Sequence, residues 1–459
     1  VLEDLPVARI LGVLSSRGAD HAELFAERVR ELSVVLEEGR IERAVEGTDE
    51  GIGLRLLFRG RTYYAYTTEP DPATLLTLAA DLARHAEGGG QPVSVPARPS
   101  CARNPSPVRI PPSSRGLPEK ARLLRAADRA ARGASPLVRQ VRASWSEAER
   151  AIEVAAHPDL FACDVQTRVT LAVECVAGDE TGLATGYEPA GGTMGWELLE
   201  ETDPEALALR AARRAVQTLL APRMAGGRMP VVLAAEAGGT MVHEAIGHGL
   251  EADLAGRGLS VYSGALGTQV ASPLVTIVDD ATLPGRRGSF GIDDEGTPAA
   301  RTVLVERGVL KGFLHDRLSA MKDGVRPTGN GRRASYRHRP IPRMTNTIIL
   351  PGETPPERIL ASVDRGLLVM RMGGGQVNTV TGDFMFEVAE GYRIENGRRG
   401  DPVRGATVAG NGPEVLRMID MVGSDLGFGL GTCGKDGQGV PVGDAQPTLR
   451  IGPPWITVG

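Results

Sequence analysis

The sequence predicts an α+β fold of two domains, with largely antiparallel sheets and flanking helices. Three observations carry this reading. At 459 residues the chain is longer than one hydrophobic core ordinarily organises. X-Gly pairs at Glu38-Gly39, Arg59-Gly60, Arg307-Gly308 and Asn396-Gly397 sit between alternating segments, as tight antiparallel turns require. The helical segments do not alternate regularly with strands, which argues against a parallel βαβ arrangement.

Taken in order, Leu and Val recur at helical spacing over residues 6–16 and predict a short opening helix. The runs 53–58 and 61–66 flank Arg59-Gly60 and predict a hairpin. A helix is expected at about 71–87, followed by a Gly/Pro/Ser-rich stretch at about 88–118 that reads as an exposed connection. Residues 118–133 and 203–220 have helical character, and strands are expected at about 138–156 and 164–176. The first domain is therefore placed at 1–225, and a β-rich second domain at 226–459, starting near Gly226-Gly227. There the apolar run 231–235 reads as a buried strand that leads through Gly238-Gly239 into a helix, whose start would lie beside a sheet edge. Short β segments are expected after residue 260, with a helix at about 413–422.

Composition narrows the function. Hydrophobic residues at 41% and charged residues at 24% are ordinary for a globular protein. A net charge of −5 leaves no electrostatic footprint for nucleic acid, and 4% aromatics offer little stacking surface. No apolar run approaches the ~20 residues that cross a bilayer. Four cysteines (Cys101, Cys163, Cys175, Cys433) make no disulfide framework, so a reducing, cytoplasmic location is expected. Pairing of Cys163 with Cys175 across adjacent strands is the alternative to small buried thiols, which is the favoured reading.

The chemistry is concentrated in His243-Glu244-Ala245-Ile246-Gly247-His248, followed by Gly249-Leu250-Glu251-Ala252-Asp253. Neutral imidazoles bind Zn²⁺, and a glutamate beside the first of them can take a proton from metal-activated water. The spacing is one residue longer than His-Glu-x-x-His. In a regular helix, residues five apart lie about 140° apart. The two rings can converge only if the helix widens into a π-turn or breaks at Gly247, so a distortion is expected here. Cys433, set among glycines in Gly431-Thr432-Cys433-Gly434-Lys435-Asp436-Gly437-Gln438-Gly439, is the third candidate ligand. This glycine-rich segment has Walker A spacing, but Asp436 stands where a hydroxyl residue would hold Mg²⁺, so no nucleotide site is read.

Together, His-Glu-Ala-Ile-Gly-His-Gly-Leu-Glu-Ala-Asp and Cys-Gly-Lys-Asp-Gly-Gln-Gly-Val-Pro-Val-Gly resemble the TldD subunits of the TldD/TldE (PmbA) metalloprotease family. So do Gly291-Ile292-Asp293-Asp294-Glu295-Gly296, Thr328-Gly329-Asn330-Gly331-Arg332-Arg333, Pro342-Arg343-Met344-Thr345-Asn346 and Gly373-Gly374-Gly375-Gln376-Val377. The likeness is dense over 230–450 and thinner before 225. It implies one Zn²⁺ per chain, held by His243, His248 and Cys433 on a helix and loop of the C-terminal domain, with Glu244 as general base. It also implies extended peptide substrates cut with little sequence preference, including peptide-antibiotic precursors and labile antitoxins, and a TldE/PmbA-like partner in a heterodimer, a homodimer being the alternative. Family members have been linked to DNA gyrase control, but nothing in this sequence reads as a DNA-binding surface. Iron or cobalt would also suit two imidazoles and a thiolate.

Weaker candidates surround this core. Glu251 and Asp253 could accept the outer N–H of an imidazole. His315 and His338 could hydrogen-bond a tetrahedral intermediate, and Arg343 and the Arg332-Arg333 pair could hold a peptide carboxylate, although structural roles are favoured for each. Asp293-Asp294-Glu295 reads as a tight turn in preference to a cation site. Two readings from other classes stay open: a non-catalytic binding protein with a structural metal and a fourth protein ligand, and a metal-dependent hydrolase of non-peptide amides.

Overall fold

The structure is a computed structural model that describes residues 2–90 and 93–459. It has the expected α+β class with mostly antiparallel pairing. Residues 21–193 build one sheet in the order Arg61–Thr67, Arg40–Phe58, His21–Glu37, Val138–Ala156, Leu160–Asp179, with Gly182–Thr193 and the short Ser100–Cys101 both pairing Leu160–Asp179. The expected hairpin turns at Arg59-Gly60, where both residues take positive φ (48° and 72°). Helices Val7–Leu14, Pro72–Ala83, Leu117–Gly133 and Pro204–Leu220 lie close to their expected positions. Asp71 and Asp203 cap the second and fourth by accepting backbone N–H bonds, with proline in the first turn.

One face of this sheet is covered by those helices and the other, at one end, by the C-terminal half. Strand alternation sorts the side chains between them. From His21–Glu37, Ala22, Leu24 and Ala26 join Ile52, Leu54 and Leu56 in a core with the first two helices. Phe25 points the other way and packs with Ile292 and Tyr336. Glu23 and Glu27 share its face and are buried. Burial of a carboxylate requires a partner, and each one comes wholly or partly from across the junction. Glu23 accepts from Arg55 and Arg333, both at 2.7 Å, and Arg55 also reaches Glu295. Glu27 accepts from the Tyr336 amide at 2.8 Å, and Arg150 bridges Glu27 to Asp294. The turn at Asp293–Glu295 is as expected, since Asp293 accepts the amides of Glu295 and Thr297. Its next two carboxylates are counter-ions for the N-terminal sheet.

Beyond residue 226, Arg365–Val377, Gly227–Leu233, Leu449–Val458, Thr407–Asn411 and Asp383–Glu395 pair in sequence, and Arg365–Val377 also pairs Asp383–Glu395, closing the path into a barrel. A second sheet runs Val309–Leu310, Arg301–Glu306, Ile277–Asp280, Asn346–Ile349, Gln438–Gln446, Gly427–Lys435. Between them lies the largest core cluster, which holds Val242, Ile246 and Cys433.

Gly227–Leu233 is the expected buried strand, flanked by Arg365–Val377 and Leu449–Val458, with its Val-Val-Leu run buried on both faces. The sheet edge near the candidate site is Gly427–Lys435. Strands after residue 260 are mostly short, as expected, the longest being Arg365–Val377 and Asp383–Glu395 at 13 residues each. Other expectations need correction. The helix near 413 stops at Met418, and Ile419–Val422 pairs Leu449–Val458. Cys163 bonds Cys101 and not Cys175, which is buried and free. That bond ties the 88–118 connection to the sheet and removes the cysteine ground for expecting a reducing compartment; residues 91 and 92 of the connection lie outside the described residues. Among the described residues no helix is long and apolar enough to cross a membrane.

Glu23→Gln is expected to lower unfolding free energy by about 3–5 kcal/mol, because it leaves Arg55 and Arg333 short of a buried counter-charge. Urea unfolding measures this; a loss under about 1 kcal/mol would show that the junction tolerates uncompensated charge.

Candidate metal centre

The strand Gly227–Leu233 delivers the chain through a 3-10 turn at Ala235–Ala237 to Gly239, where a Cβ would lie 2.3 Å from the Ala445 amide nitrogen. Only glycine lets the helix start approach the Gln438–Gln446 strand so closely. Thr240–Val242 is helical, and His243–Gly247 then widens into the expected π-turn, with the His248 amide donating to the His243 carbonyl five residues back. Closure over five residues brings both rings to one side. Two contacts hold the widened turn. The Tyr262 hydroxyl donates to the Ala245 carbonyl at 2.9 Å, and Met344 Sδ packs where a Cβ on Gly247 would fall at 2.1 Å.

Cys433 arrives from the edge strand Gly427–Lys435. His243 Nε2 lies 3.2 Å and His248 Nε2 3.3 Å from its Sγ, and all three donor atoms fall within 4.8 Å of one another. The imidazole rings stand edge to face at 89°. All three residues are buried. Zn–N and Zn–S bonds of ~2.0 and ~2.3 Å in a tetrahedron put N and S about 3.5 Å apart, so this spacing fits zinc. Among the described residues these are the three side chains of the cluster, which leaves a fourth tetrahedral position without a protein ligand.

The surrounding charges favour a thiolate. Burial pushes the Cys433 thiol up, but His243 and His248 outweigh this and hold it at about 5. Burial alone would lower His248, yet the Glu251 carboxylate and the Cys433 sulfur raise it well above the usual imidazole range. Glu251 Oε2 sits 3.0 Å from His248 Nδ1, as expected for an outer acceptor. Glu251 is fully buried; desolvation would raise it, but His248 and Lys435 hold it at about 2. Asp253 does not meet an imidazole: it pairs with Lys435 at 2.7 Å, and Lys435 also reaches Glu251 at 3.1 Å. Glu244 is partly buried, its carboxyl raised by desolvation, and it lines a cavity of about 410 Å³ with Thr240, His243, His248, Cys433 and Asp444.

The remaining candidates lie elsewhere. Arg343 is buried behind the site, donating to the carbonyls of Cys433 at 2.5 Å and Gln438 at 3.0 Å, so it holds the ligand strand in place of a substrate. His315 faces Asp323 at 3.8 Å and His338 meets Ser335 at 3.1 Å, and neither lines this cavity. Arg332 donates to the carbonyls of Met344 and Pro441, while Arg333 serves Glu23. Two contributors were missed. Lys435 carried a usable signal, since it is two residues from Cys433 on one strand and so shares its face. Asp444 lines the cavity and accepts the Gly239 amide at 3.0 Å; burial raises its carboxyl. Nothing in its local sequence marks it.

A buried set of two imidazoles and a thiol suits a transition-metal ion. Residues 22–86, 110–219 and 226–454 match, respectively, domain 1, the central domain and the C-terminal domain of the PmbA/TldA metallopeptidases. A Haemophilus influenzae "Metalloprotease TldD homolog" is 38% identical over 98% of this chain and 95% of its own length. A Saccharolobus solfataricus "Zinc metalloprotease TldD homolog" is 33% identical over 52% of this chain and 54% of its own. In solved structures the fold is similar to the Thermotoga maritima protein TM0727 (TM-score 0.81, 23% identity, 98% of each chain) and to TldE from Thermococcus kodakarensis (TM-score 0.72, 21% identity, 95% of this chain and 97% of that one). The chain belongs to the PmbA/TldD metallopeptidase family.

Glu251→Gln is expected to weaken metal binding 10–100-fold while leaving the fold intact, because it removes the charge that orients His248. Competition against a chromogenic chelator reads the affinity; an unchanged value would mean that Glu251 does not orient His248.

Proposed function

We propose that this protein is a zinc-dependent peptidase of the His-Glu-x-x-x-His type, acting on unfolded or extended peptides with low sequence selectivity. The observation that carries the reading is that two imidazoles and a thiolate converge within 4.8 Å in a cavity that Glu244 also lines. The metalloprotease and zinc metalloprotease names of its relatives support it. His243, His248 and Cys433 would hold one Zn²⁺. When bound, zinc supplies Lewis acidity toward a carbonyl and lowers the pKa of a water. Glu244, its carboxyl already raised by burial, takes the proton of the attacking water and passes it to the leaving amine. Glu251 fixes the tautomer of His248 by accepting from Nδ1, and Lys435 and Arg343 keep Glu251 and the Cys433 strand in register.

Low selectivity follows from the edge strand. Gly427–Lys435 pairs Gln438–Gln446 on one side, and an extended peptide added along the other would be held by main-chain bonds common to all sequences. We place the chain with a TldE/PmbA-like partner in a heterodimer, a reading supported by the shared fold with a TldE and by family membership. Maturation of peptide antibiotics and turnover of antitoxins are the physiological uses this specificity would suit. A purely structural metal fits less well, since a closed zinc site takes four protein ligands.

Metal content and cleavage of an unstructured peptide are to be measured on wild type, His248→Ala, Cys433→Ser and Glu244→Gln, with and without a TldE-like partner. Both ligand variants are expected to lose zinc. Glu244→Gln is expected to keep zinc and lose at least about 100-fold in rate. Full zinc in Cys433→Ser, or cleavage by Glu244→Gln, would overturn the assignment.

A further inference from the structure

A second cavity, of about 370 Å³, lies against the same ligand strand, and Thr432 lines both cavities. Five guanidinium groups line it (Arg150, Arg168, Arg287, Arg332 and Arg333) against three carboxylates, Glu31, Glu147 and Asp294. Those carboxylates are largely committed. Glu147 is paired with Lys120 at 2.7 Å, Asp294 is bridged by Arg150, and Glu31 is exposed. Arg150 and Arg333 have their own counter-ions in Glu27 and Glu23.

Three arginines are left with neutral partners. Arg168 donates to the Arg287 carbonyl at 3.1 Å and to Gln166 at 2.8 Å. Arg287 donates to the Gly431 carbonyl at 3.1 Å and to Thr170 at 2.9 Å. Arg332 donates to the carbonyls of Met344 and Pro441 at 2.6 and 2.7 Å. Arg168 and Arg332 are buried. Desolvation and the neighbouring guanidiniums push both below the usual arginine range, Arg332 to about 10; Asp294, already bridged by Arg150, offsets this only in part. Elsewhere at this junction buried guanidiniums are matched by carboxylates, so three unmatched ones around one cavity are unfavourable unless an anion enters. Guanidinium forks suit a carboxylate in particular.

The position is also informative. Arg287 is fastened to Gly431, two residues before Cys433, or roughly 7 Å along a strand. A peptide lying along this edge would bring a group one to three residues from the scissile bond within reach.

We propose that this cavity is a carboxylate subsite, in which Arg168, Arg287 and Arg332 receive a carboxylate of the peptide substrate close to the cleaved bond. It deepens the peptidase reading and rests on it. The carboxylate can be the peptide's C-terminus or an Asp or Glu side chain, and the test separates the two.

Binding is measured by calorimetry on zinc-loaded Glu244→Gln protein, with ten-residue Ala/Ser/Thr peptides carrying a free C-terminus, an amidated C-terminus, or an amidated C-terminus and one Glu moved along the chain. Cleavage of the same peptides is followed with wild type. The acid, or one of the Glu-bearing amides, is expected to bind at least about tenfold tighter than the plain amide. Which of them does so identifies the source of the carboxylate. Arg287→Gln, introduced beside Glu244→Gln, should abolish the preference, and Arg287→Lys should restore part of it; a purely structural role would weaken all peptides equally. Thermal unfolding and zinc content check that the variants fold. Equal binding of all peptides, or a preference that survives Arg287→Gln, overturns the subsite. A carboxylate preference in binding, without cleavage by wild type either alone or with a TldE-like partner, would instead leave the subsite standing and remove the peptidase reading.

Discussion

Buried charge at the junction of the two halves is the constraint on which the rest of the structure depends. Glu23 and Glu27 sit on a sheet face that the C-terminal half covers, and burying carboxylates there requires the guanidinium partners they meet. Arg55 and Arg150 come from the same sheet, while Arg333, Asp294 and Glu295 come from across the junction. Each half therefore completes the other's charges, and sliding one against the other would strand ions in low dielectric. Such a layer contributes little net stability compared with a hydrophobic one, but it fixes register. Register matters because the segment that supplies Arg332 and Arg333 also leads to Arg343, whose side chain grips the carbonyl of Cys433.

The metal centre inherits that order. One pair of donors lies on a single widened turn and is set by local geometry, whereas Cys433 comes from a strand 185 residues beyond His248. Its placement relies on Arg343 behind it and on Lys435, which ties the same strand to Glu251 and Asp253. Glu251 links the two parts: one oxygen faces His248 and Lys435, and the other faces Arg343 at 3.8 Å. His248 and Lys435 hold the buried Glu251 carboxyl at about 2, which keeps it an acceptor for His248 Nδ1.

Much of this was legible in the sequence, for identifiable reasons. Positions of the four long helices follow from apolar spacing and from Asp-Pro starts at 71 and 203. The π-turn follows from arithmetic alone, because two histidines five apart cannot meet on a regular helix. Features that depend on distant partners were not legible. The apolar run at 231–235 marks Gly227–Leu233 as buried, but not which strands flank it, since those neighbours lie more than 130 residues away. The Cys101–Cys163 bond joins an irregular connection to a strand, and no spacing rule selects it over Cys163–Cys175. Glu23 and Glu27 alternate with apolar residues as solvent-facing positions do, so their burial depends on partners from across the junction that local sequence does not show.

The same rule that locks the junction also explains why the cavity next to the ligand strand is unusual. At Arg55, Arg150 and Arg333, which lock the junction, a carboxylate of the chain lies within hydrogen-bonding distance. Arg168, Arg287 and Arg332 have carbonyls, an amide and a hydroxyl instead. Those contacts hold the guanidiniums in position without neutralising them. An arrangement that orients charge and leaves it unmatched raises the cost of the empty state and so strengthens binding of whatever anion completes it. Beside an edge strand that binds backbone without regard to sequence, an oriented charge is the feature able to set where along a peptide the chain is held. Register of the substrate would then be fixed as the register of the two halves is, by burying a charge that only one alignment can pair.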